Sequence, residues 1–244
     1  MNVDYDQIAA TYDDHRRGGG PYMKALTAAA RTCGGDCFLE VGAGTGNNTA
    51  ALLERFPCRI TALEPSRAMA ARGRAKAMPA CWVRGVGECL PLADSTMDFV
   101  FGVYMLHYIT DLETVFRECH RVLRGGSAAF VTAPERFIEN HPMRGYFPSL
   151  PAVDLARFQP VDTVARAMRS AGFRQVTATI ASDEPRRIDA EYVRKIEGRI
   201  ISTYELLPAG EFEEGLRRLK ADVARQGTLN TMVYREAATI QGNR

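Results

Sequence analysis

Acidic residues and glycines stand in a fixed order after two apolar runs early in the chain. Glu40 comes two residues before three alternating glycines, Gly42, Gly44 and Gly46. Glycines in such a turn let the backbone approach a ligand closely. A carboxylate directly before them suits a cationic ligand better than a pyrophosphate. Glu64 ends the next apolar run, where an acid can accept both hydroxyls of a ribose.

The glycine spacing alone does not identify the ligand. The dinucleotide fingerprint G-x-G-x-x-G holds a pyrophosphate at a helix N-terminus, whereas this loop reads G-x-G-x-G. A further feature lies in "RGVGECLPLADSTMDFV" (84–100), where Gly87 and Glu88 follow a third apolar run. Read together, these features point to a cationic adenosyl ligand. A tight turn without a ligand and surface acids at strand ends are the competing interpretations.

Short apolar runs alternate with amphipathic segments along most of the chain, which predicts a doubly wound α/β sheet, mostly parallel and with seven strands. The predicted strands are 37–42, 59–65, 81–85, 97–106, 127–134 and 175–181, with 228–240 as the candidate for the last. The predicted helices are 48–56, 66–77, 112–123, which Gly125 and Gly126 stop, and 161–173. Ser66 is the expected N-cap of the second helix.

The remaining segments are expected to cover this sheet. Residues 1–134 would form the ligand-binding core, with residues 1–31 as N-terminal cover helices split at "RRGGGP". Residues 135–160 carry four prolines and several aromatics, as substrate lids often do. Residues 161–244 would complete the sheet, with a helical cap inserted at 189–226.

Composition excludes several classes of protein. The 244 residues are 46% hydrophobic and 25% charged with a net charge of +2, which is ordinary globular composition without the basic excess of a nucleic-acid binder. The sequence contains no run of 18 apolar residues, so we predict no membrane span, and the polar, acidic N-terminus is unlike a secretory signal. We therefore expect a cytoplasmic protein with a small-molecule partner and no nucleic-acid or membrane partner.

Six cysteines are expected to be reduced thiols in such a protein. Cys33 and Cys37 form a C-x3-C pair, but no second Cys/His pair lies at a useful spacing. Because zinc sites usually need four clustered ligands, we predict no metal site.

The motifs together resemble the class I S-adenosylmethionine-dependent methyltransferases, in their small-molecule, methyltransferase type 11-like group. The matching segments, in order, are "LEVGAGTG", "LEPSRAM", "GECLPLADSTMDFV", "VYMLHYITD" and "ECHRVLRGG". The resemblance covers residues 1–134 and extends to the "AMRSAGF" helix and its strand. One departure is Val86-Gly87-Glu88, where many relatives carry an Asp or Asn-like acceptor for the adenine amino group; Glu88 or a backbone group would supply it here.

The resemblance implies the Rossmann-like methyltransferase fold and a division of labour around S-adenosylmethionine. The glycines would lie against the cofactor, Glu40 would orient its amino group, directly or through water, and Glu64 would hold the ribose hydroxyls. The segment after Glu64 would wall the adenine slot, and Tyr5, Tyr12 and Arg16 would contact the cofactor from the N-terminal helix. The full set is Glu40, Gly42, Gly44, Gly46, Glu64, Pro65, Ser66, Met69, Gly87, Glu88, Gly102, Val103, Tyr5, Tyr12 and Arg16. A core-facing helical stripe explains Tyr5 and Tyr12 almost as well.

The acceptor side of the predicted site is less defined. His107 follows the fourth strand, where it would act as a general base, orient the substrate, or pack as a histidine bonded to backbone. Tyr104, Tyr108 and Tyr146 would line the acceptor pocket or only fill space.

The predicted reaction is methyl transfer to an oxygen, nitrogen or carbon atom of a small molecule, by in-line displacement. A nicotinamide-dependent oxidoreductase is the first alternative, because it also uses a glycine loop and an acid after the second strand. A non-catalytic S-adenosylmethionine-binding protein is the second, and it would lack an open cavity beside His107. An arsenite methyltransferase ranks low, because no cysteine follows Cys119. The sequence does not specify the oligomeric state.

Overall fold

A seven-stranded sheet runs through the structure, a computed structural model that describes residues 3–15, 18–199 and 201–244. The strands in chain order are β1 (Cys37–Val41), β2 (Arg59–Leu63), β3 (Ala80–Val83), β4 (Met97–Val103), β5 (Leu123–Thr132), β6 (Arg174–Ser182), β7 (Arg186–Ile188), β8 (Leu229–Val233) and β9 (Glu236–Asn243). The sheet order is β3-β2-β1-β4-β5-β9-β6, and β7 pairs with β8 in a separate two-stranded sheet.

The pairing confirms the predicted doubly wound, mostly parallel sheet. Strands β3, β2, β1, β4 and β5 are all parallel to one another, and β9 runs antiparallel to both β5 and β6. Glu40 of β1 lies between Ala62 of β2 and Phe101 of β4 in the register. The strand order reverses between β1 and β4, which is the point where open α/β sheets bind their ligands.

Helices pack on both faces and over the carboxyl ends of the strands. They are α1 (Tyr5–Ile8), α2 (Tyr12–His15), α3 (Met23–Arg31), α4 (Asn47–Leu53), α5 (Arg67–Ala75), α6 (Leu112–Val122), α7 (Glu135–Glu139), α8 (Leu150–Leu155), α9 (Val161–Ser170), α10 (Ala190–Glu197) and α11 (Glu211–Gln226), with 3-10 turns at Ala9–Thr11, Leu106–Tyr108 and Ser202–Glu205. Ser66 caps α5 as expected, because its hydroxyl accepts the Met69 N–H at 3.1 Å.

Successive side chains of each strand point to opposite faces of the sheet, so the apolar core is divided between the two faces. Leu39 and Val100 belong to one apolar cluster, which α6 and α9 complete, and Phe38, Phe99 and Phe101 belong to the other, under α3. Every residue of β4 is buried, as expected for a central parallel strand. A third cluster joins part of 143–150 to residues between 188 and 233, and it forms the cover.

The fourth strand ends earlier than predicted. The apolar run 97–106 was expected to continue as strand, but β4 stops at Val103. Tyr104 has a positive φ of 51°, which turns the chain away from the sheet and into the 3-10 turn Leu106–Tyr108. Apolar residues of this loop also pack in the core, so the apolar run continues past the end of the strand.

The glycine pair at 125–126 does not stop a helix, contrary to the prediction. Helix α6 ends at Val122, and both glycines lie within β5. A Cβ at Gly126 would come within 1.8 Å of the Asp98 carbonyl oxygen, so the close approach of β4 requires glycine there.

The predicted last strand, 228–240, is two strands in two sheets. Residues Leu229–Val233 pair with β7 at the cover, and Glu236–Asn243 enter the main sheet. Arg235 separates them: its guanidinium binds the Asp183 carboxylate at 2.6 Å, and its carbonyl accepts the Asp183 N–H.

The segment 135–160 holds α7 and α8 and buries several of its apolar side chains, so it is less irregular than its prolines suggested. The division of the chain at 134 and 160, and the reading of 189–226 as a cap insertion, remain predictions. Within the described part of the chain, no helix combines the length and the apolar character that crossing a membrane would require.

Candidate functional site

A cavity of about 1290 Å³ opens at the carboxyl ends of β1, β2 and β4, where the strand order reverses. The glycine loop and the segment 85–88 line one part of it. Side chains from α10, the 202–204 turn and the β8–β9 connection line the other part. The cavity therefore joins the predicted cofactor residues to the cover.

Backbone forms the wall of the cavity at the glycine loop. The N–H groups of Gly42 and Ala43 both donate to the Leu63 carbonyl at 2.9 Å, which joins the loop to the end of β2. Gly42 and Gly44 have φ values of 71° and 57°, a region that favours glycine. A Cβ at Gly42 would lie 2.8 Å from the Cβ of Met105, so the turn has no space for a side chain.

Gly46, by contrast, serves packing and does not line the cavity. It precedes α4, and a Cβ there would come within 3.0 Å of the Trp82 ring and of Met78. Gly102 is similar, since a Cβ there would meet Met105, Phe130 and the Val41 carbonyl at 3.0–3.1 Å. Both predicted cofactor contacts are therefore explained by packing of the layers around the sheet.

Glu64 lies at the cavity wall with a side chain held by two backbone donors. Its Oε2 accepts the Gly44 N–H at 2.7 Å and its Oε1 accepts the Ser66 N–H at 2.9 Å. The residue is only 6% exposed, and this burial raises the pKa of its carboxyl above the usual range. Because a carboxylate offers about four lone-pair sites, each oxygen keeps one for a ligand hydroxyl.

Glu40 lies behind the cavity wall and does not itself line it. It is fully buried, its Oε2 accepts the Thr49 hydroxyl, and its Oε1 has no partner among the described residues. Burial raises the pKa of this carboxyl to about 8. Asn48 and Tyr22 do line the cavity, and the Tyr22 hydroxyl donates to Asn48 Oδ1 at 2.7 Å. Sequence reasoning left Asn48 unexplained and did not name Tyr22.

The predicted adenine slot is present as a group of cavity residues. Pro65, Met69, Gly87 and Glu88 all line the cavity. Ser66 does not, because its hydroxyl caps α5 and donates to the N-terminal segment.

The N-terminal segment is bound to both sides of this slot by two aspartates. Asp6 accepts the Ser66 hydroxyl at 2.5 Å and the Ala68 N–H at 3.1 Å. Asp13 accepts the Thr45 hydroxyl at 2.6 Å and the Asn47 amide at 3.0 Å, and lies 3.0 Å from the Lys76 ammonium. The segment therefore closes over the mouth of the slot.

Tyr5 and Tyr12, carried by this segment, line the cavity and do not enter the sheet core. Their rings are 6.2 Å apart, and the Tyr5 hydroxyl bonds to the hydroxyl of Tyr108. Arg16, the third predicted contact of this segment, lies outside the described residues. Val103 and Tyr104 line the cavity at the end of β4.

His107 lines the cavity between two aromatic rings. It stacks on Phe158 with ring centroids 4.2 Å apart, and its centroid is 4.0 Å from that of Tyr108. Neither ring nitrogen has a partner among the described residues, so it is not the backbone-bonded histidine of one prediction. Burial, with a smaller contribution from Arg157, lowers the pKa of His107 to about 3. The imidazole is therefore neutral and weakly basic, which counts against a general base.

Tyr146 lies outside the cavity, contrary to the prediction that it binds substrate. Its hydroxyl donates to the Asp222 carboxylate at 2.9 Å, and the Arg218 guanidinium lies 5.5 Å from its ring centroid. The segment around Tyr146 packs outward onto α11, which a sequence with no contact information did not indicate.

Several cavity residues of the cover were not predicted. His141 lines the cavity, and its Nδ1 accepts the Met143 N–H at 3.2 Å, so a neutral ring carries its proton on Nε2. Tyr192 and Tyr204 contribute rings from α10 and the following turn. The sequence predicted a helical cap at 189–226, but it gave no means of telling which face of a helix met a ligand.

Three side chains outside the cavity place possible metal-ligand atoms close together. Asp36, Cys37 and Asp98 place their ligand atoms within 4.8 Å of one another. Arg59 pairs with Asp36 at 3.1 Å and Arg124 with Asp98 at 3.5 Å. These carboxylates therefore have protein cations as partners. All six cysteines are free thiols.

Comparisons with known proteins agree with this architecture. Residues 39–131 match a family described as a methyltransferase domain. A malonyl-[acyl-carrier protein] O-methyltransferase of Xylella fastidiosa (strain M23) is 32% identical over 179 residues, 61% of this chain and 60% of that protein. A ubiquinone/menaquinone biosynthesis C-methyltransferase of Rubrivivax gelatinosus is 34% identical over 93 residues, 38% of this chain and 37% of that protein. The chain thus spans 60% or less of these two curated relatives.

A solved structure extends the likeness to most of the chain. A methyltransferase assigned to an antibiotic biosynthesis pathway of Anabaena variabilis has a TM-score of 0.69 and 25% identity, over 89% of this chain and 96% of that one. Its agreement with the sheet and helices described above confirms the predicted Rossmann-like methyltransferase fold. Through residues 39–131 and through this fold, the chain is similar to the class I methyltransferases.

Proposed function

We propose that this protein transfers a methyl group from S-adenosylmethionine to an oxygen, nitrogen or carbon atom of a small molecule. The observation that carries the proposal is the Glu64 carboxylate, which lines the cavity, is bound to the glycine loop through Gly44, and keeps lone pairs for two hydroxyls. A ribose diol is the group that matches such an acceptor at the end of the second strand.

The residues present fit S-adenosylmethionine in two further respects. The backbone of Gly42 and Gly44 offers a cradle that side chains would fill. Glu40 has a buried carboxyl oxygen without a partner among the described residues, and a cationic amino group nearby would lower the raised pKa of this carboxyl and stabilise its ionised form. Pro65 and Met69 would flank the adenine, and Gly87 and Glu88 would address its edge.

S-adenosylmethionine supplies the chemistry itself, because its sulfonium is already an activated methyl donor. The protein's own residues position the acceptor and exclude water. Tyr5 and Tyr12 close the N-terminal side of the cavity, and Tyr192 and Tyr204 close the cover side. Positioning of this kind can lower a barrier by about 7–11 kcal/mol.

The alternatives have less support. A nicotinamide oxidoreductase needs a pyrophosphate at the glycine loop, where the buried Glu40 offers no positive charge to bind it. A protein that only binds the cofactor would lack room for an acceptor, and the cavity of about 1290 Å³ continues past His107 into the cover.

The test is calorimetry with S-adenosylhomocysteine and NADH, followed by incubation with labelled S-adenosylmethionine and a metabolite extract. We expect saturable binding of S-adenosylhomocysteine, no binding of NADH, and label in a small-molecule product. Binding of NADH without binding of S-adenosylhomocysteine would overturn the proposal. Binding of S-adenosylhomocysteine with no labelled product from any extract would instead support the binding-only alternative.

A further inference from the structure

Unpartnered polar atoms concentrate at one place beside the acceptor part of the cavity. Of the seven buried side-chain nitrogen and oxygen atoms without a hydrogen-bond partner among the described residues, four belong to His107 and Arg157. They are both ring nitrogens of His107 and the Nε and Nη1 of Arg157. Because a buried polar group without a partner costs about 1–3 kcal/mol, such a concentration calls for an explanation.

Arg157 is a buried cation whose charge is only partly compensated. Its side chain is 7% exposed, and its Nη2 donates to the Tyr108 hydroxyl at 3.0 Å. Its nearest carboxylate oxygen, Asp154 Oδ1, lies 3.6 Å from Nη1, beyond hydrogen-bond length, and already accepts the Thr203 hydroxyl at 2.6 Å. Burial also raises the pKa of Asp154, which weakens it as a counter-ion.

Tyr108 connects this cation to the cavity. Its hydroxyl accepts from Arg157 and bonds with Tyr5, and the Ser202 hydroxyl lies 3.3 Å away. Tyr108, Ser202 and His107 line the cavity, whereas Arg157 lies behind Tyr108. The Tyr108 oxygen has two lone pairs, so it can accept from both Arg157 and Tyr5, which leaves its own O–H for a ligand; the long contact to Ser202 is a weak use of that proton.

Most charged groups of the cover that line the cavity are paired with each other or exposed. Arg235 binds Asp183 at 2.6 Å, and Lys195 binds Glu191 at 2.6 Å. Glu184 and Arg186 lie at the exposed rim. The charge of Arg157 contributes to lowering the pKa of His107, so its field reaches this end of the cavity.

We propose that the methyl acceptor carries an anionic oxygen group, such as a carboxylate, which Tyr108 binds by a hydrogen bond while Arg157 stabilises its charge from behind Tyr108. The inference rests on the proposed methyltransferase function and specifies its acceptor. The Tyr108 O–H would pair with an acceptor oxygen, whereas both nitrogens of His107 are buried and its ring packs beside the acceptor. An ammonium group would meet the positive charge of Arg157 and is disfavoured here. Arg157 acts through Tyr108 and is a positioning residue.

The charge of the acceptor can be tested before its identity is known. A metabolite extract is separated at pH 7 on anion and cation exchangers into anionic, neutral and cationic pools. Each pool is incubated with the protein and labelled S-adenosylmethionine. We expect the label to enter products from the anionic pool, and labelling confined to the cationic or neutral pool would overturn the inference. Label from no pool would count against the proposed function itself.

Three variants then test the assignment to Arg157 and Tyr108. For the anionic pool, Arg157→Gln and Tyr108→Phe should each lower kcat/KM about tenfold or more, chiefly through KM, and Arg157→Lys should recover most of the loss. S-adenosylhomocysteine affinity, measured by calorimetry, should stay unchanged in the Arg157 variants and serves as the check on folding. Wild-type kcat/KM in Arg157→Gln would overturn the role of Arg157. Equal loss in Arg157→Gln and Arg157→Lys, with S-adenosylhomocysteine affinity intact, would also contradict a role that depends on charge.

Discussion

The Glu64 carboxylate accepts the backbone N–H of Gly44 at 2.7 Å, so the acid that ends β2 is bound directly to the loop that follows β1. The same carboxylate holds the Ser66 N–H, at the start of α5. One side chain therefore fixes the relative positions of the glycine loop and α5. A ligand that contacts Glu64 meets a wall that is already in place.

Replacing Glu64 should weaken cofactor binding more than it weakens the fold. Glu64→Gln keeps one acceptor oxygen but turns an NH2 group toward one backbone donor, and it removes the charge. Hydrogen bonds to charged groups contribute about 1.5–3 kcal/mol, so S-adenosylhomocysteine affinity should fall about 10- to 100-fold in calorimetry. Glu64→Ala should lose more. Glu113→Gln, on the exposed face of α6, is the matched control and should bind as the wild type. Unchanged affinity in Glu64→Gln would contradict the site.

Most of the sheet was predictable from the sequence, because its central strands are short apolar runs with turn residues between them. The β1 and β2 runs ended where the acids Glu40 and Glu64 stand, so the ligand edge was predictable as well. The ends of β4 and of the last strand were not. Tyr104 bends an apolar run, and Arg235 divides another through its pairing with Asp183, and both effects depend on tertiary contacts.

Two glycines of the loop should respond differently to alanine. Gly44→Ala places a Cβ 3.4 Å from the flexible end of Met69, so its cost is mainly the positive φ, about 1–2 kcal/mol. Gly46→Ala adds a contact of 3.0 Å with the Trp82 ring. Gly73 also packs closely against this ring, so the ring has little space to move. We expect Gly46→Ala to lower the Tm more, and Gly44→Ala to lower S-adenosylhomocysteine affinity more. Thermal melts and calorimetry on the pair check this. The opposite order in the melts would show that Trp82 moves aside.

Glu40 should make the ligand-free protein less stable as the pH rises. The pKa of this carboxyl is about 8 in the fold against an ordinary 4.5, so the folded state binds its proton more tightly. Between these two values stability falls with rising pH, and above about 8 the loss is complete. Glu40→Gln cannot ionise and still accepts the Thr49 hydroxyl. Its Tm should therefore rise relative to wild type from pH 5 to pH 8, and the difference in the free energy of unfolding should grow by at most a few kcal/mol, at about 1.4 kcal/mol per pKa unit. Parallel melting curves for the two proteins would contradict the raised pKa.

The acceptor end of the site was the part least visible in the sequence. Arg157 follows His107 by 50 positions with no periodic relation to it, and only the fold brings the two together. Tyr108 and Tyr146 looked equivalent as aromatic candidates, yet one faces the cavity and the other binds Asp222 on the outer side of the cover. Aromatic residues in a cover segment carry no local signal of which way they face.

His107 should lower stability in acid and be replaceable by another ring for both folding and activity. The pKa of His107 is about 3 in the fold against an ordinary 6.5, so its contribution is fully present above 6.5 and is lost as the pH falls toward 3. His107→Phe removes two unpartnered nitrogens and keeps a ring between Phe158 and Tyr108. At pH 7 the variant should therefore be equally or more stable, by up to about 3 kcal/mol.

The difference in Tm between His107→Phe and wild type should widen below pH 6.5. Both proteins keep His141, whose pKa burial lowers to about 4, so the comparison isolates His107. In the labelling assay the variant should bind S-adenosylhomocysteine as wild type does and keep its turnover of the anionic pool, because both nitrogens of His107 are buried away from the acceptor. Loss of turnover would place a His107 nitrogen in contact with the acceptor, and a Tm difference that does not change with pH would contradict the lowered pKa.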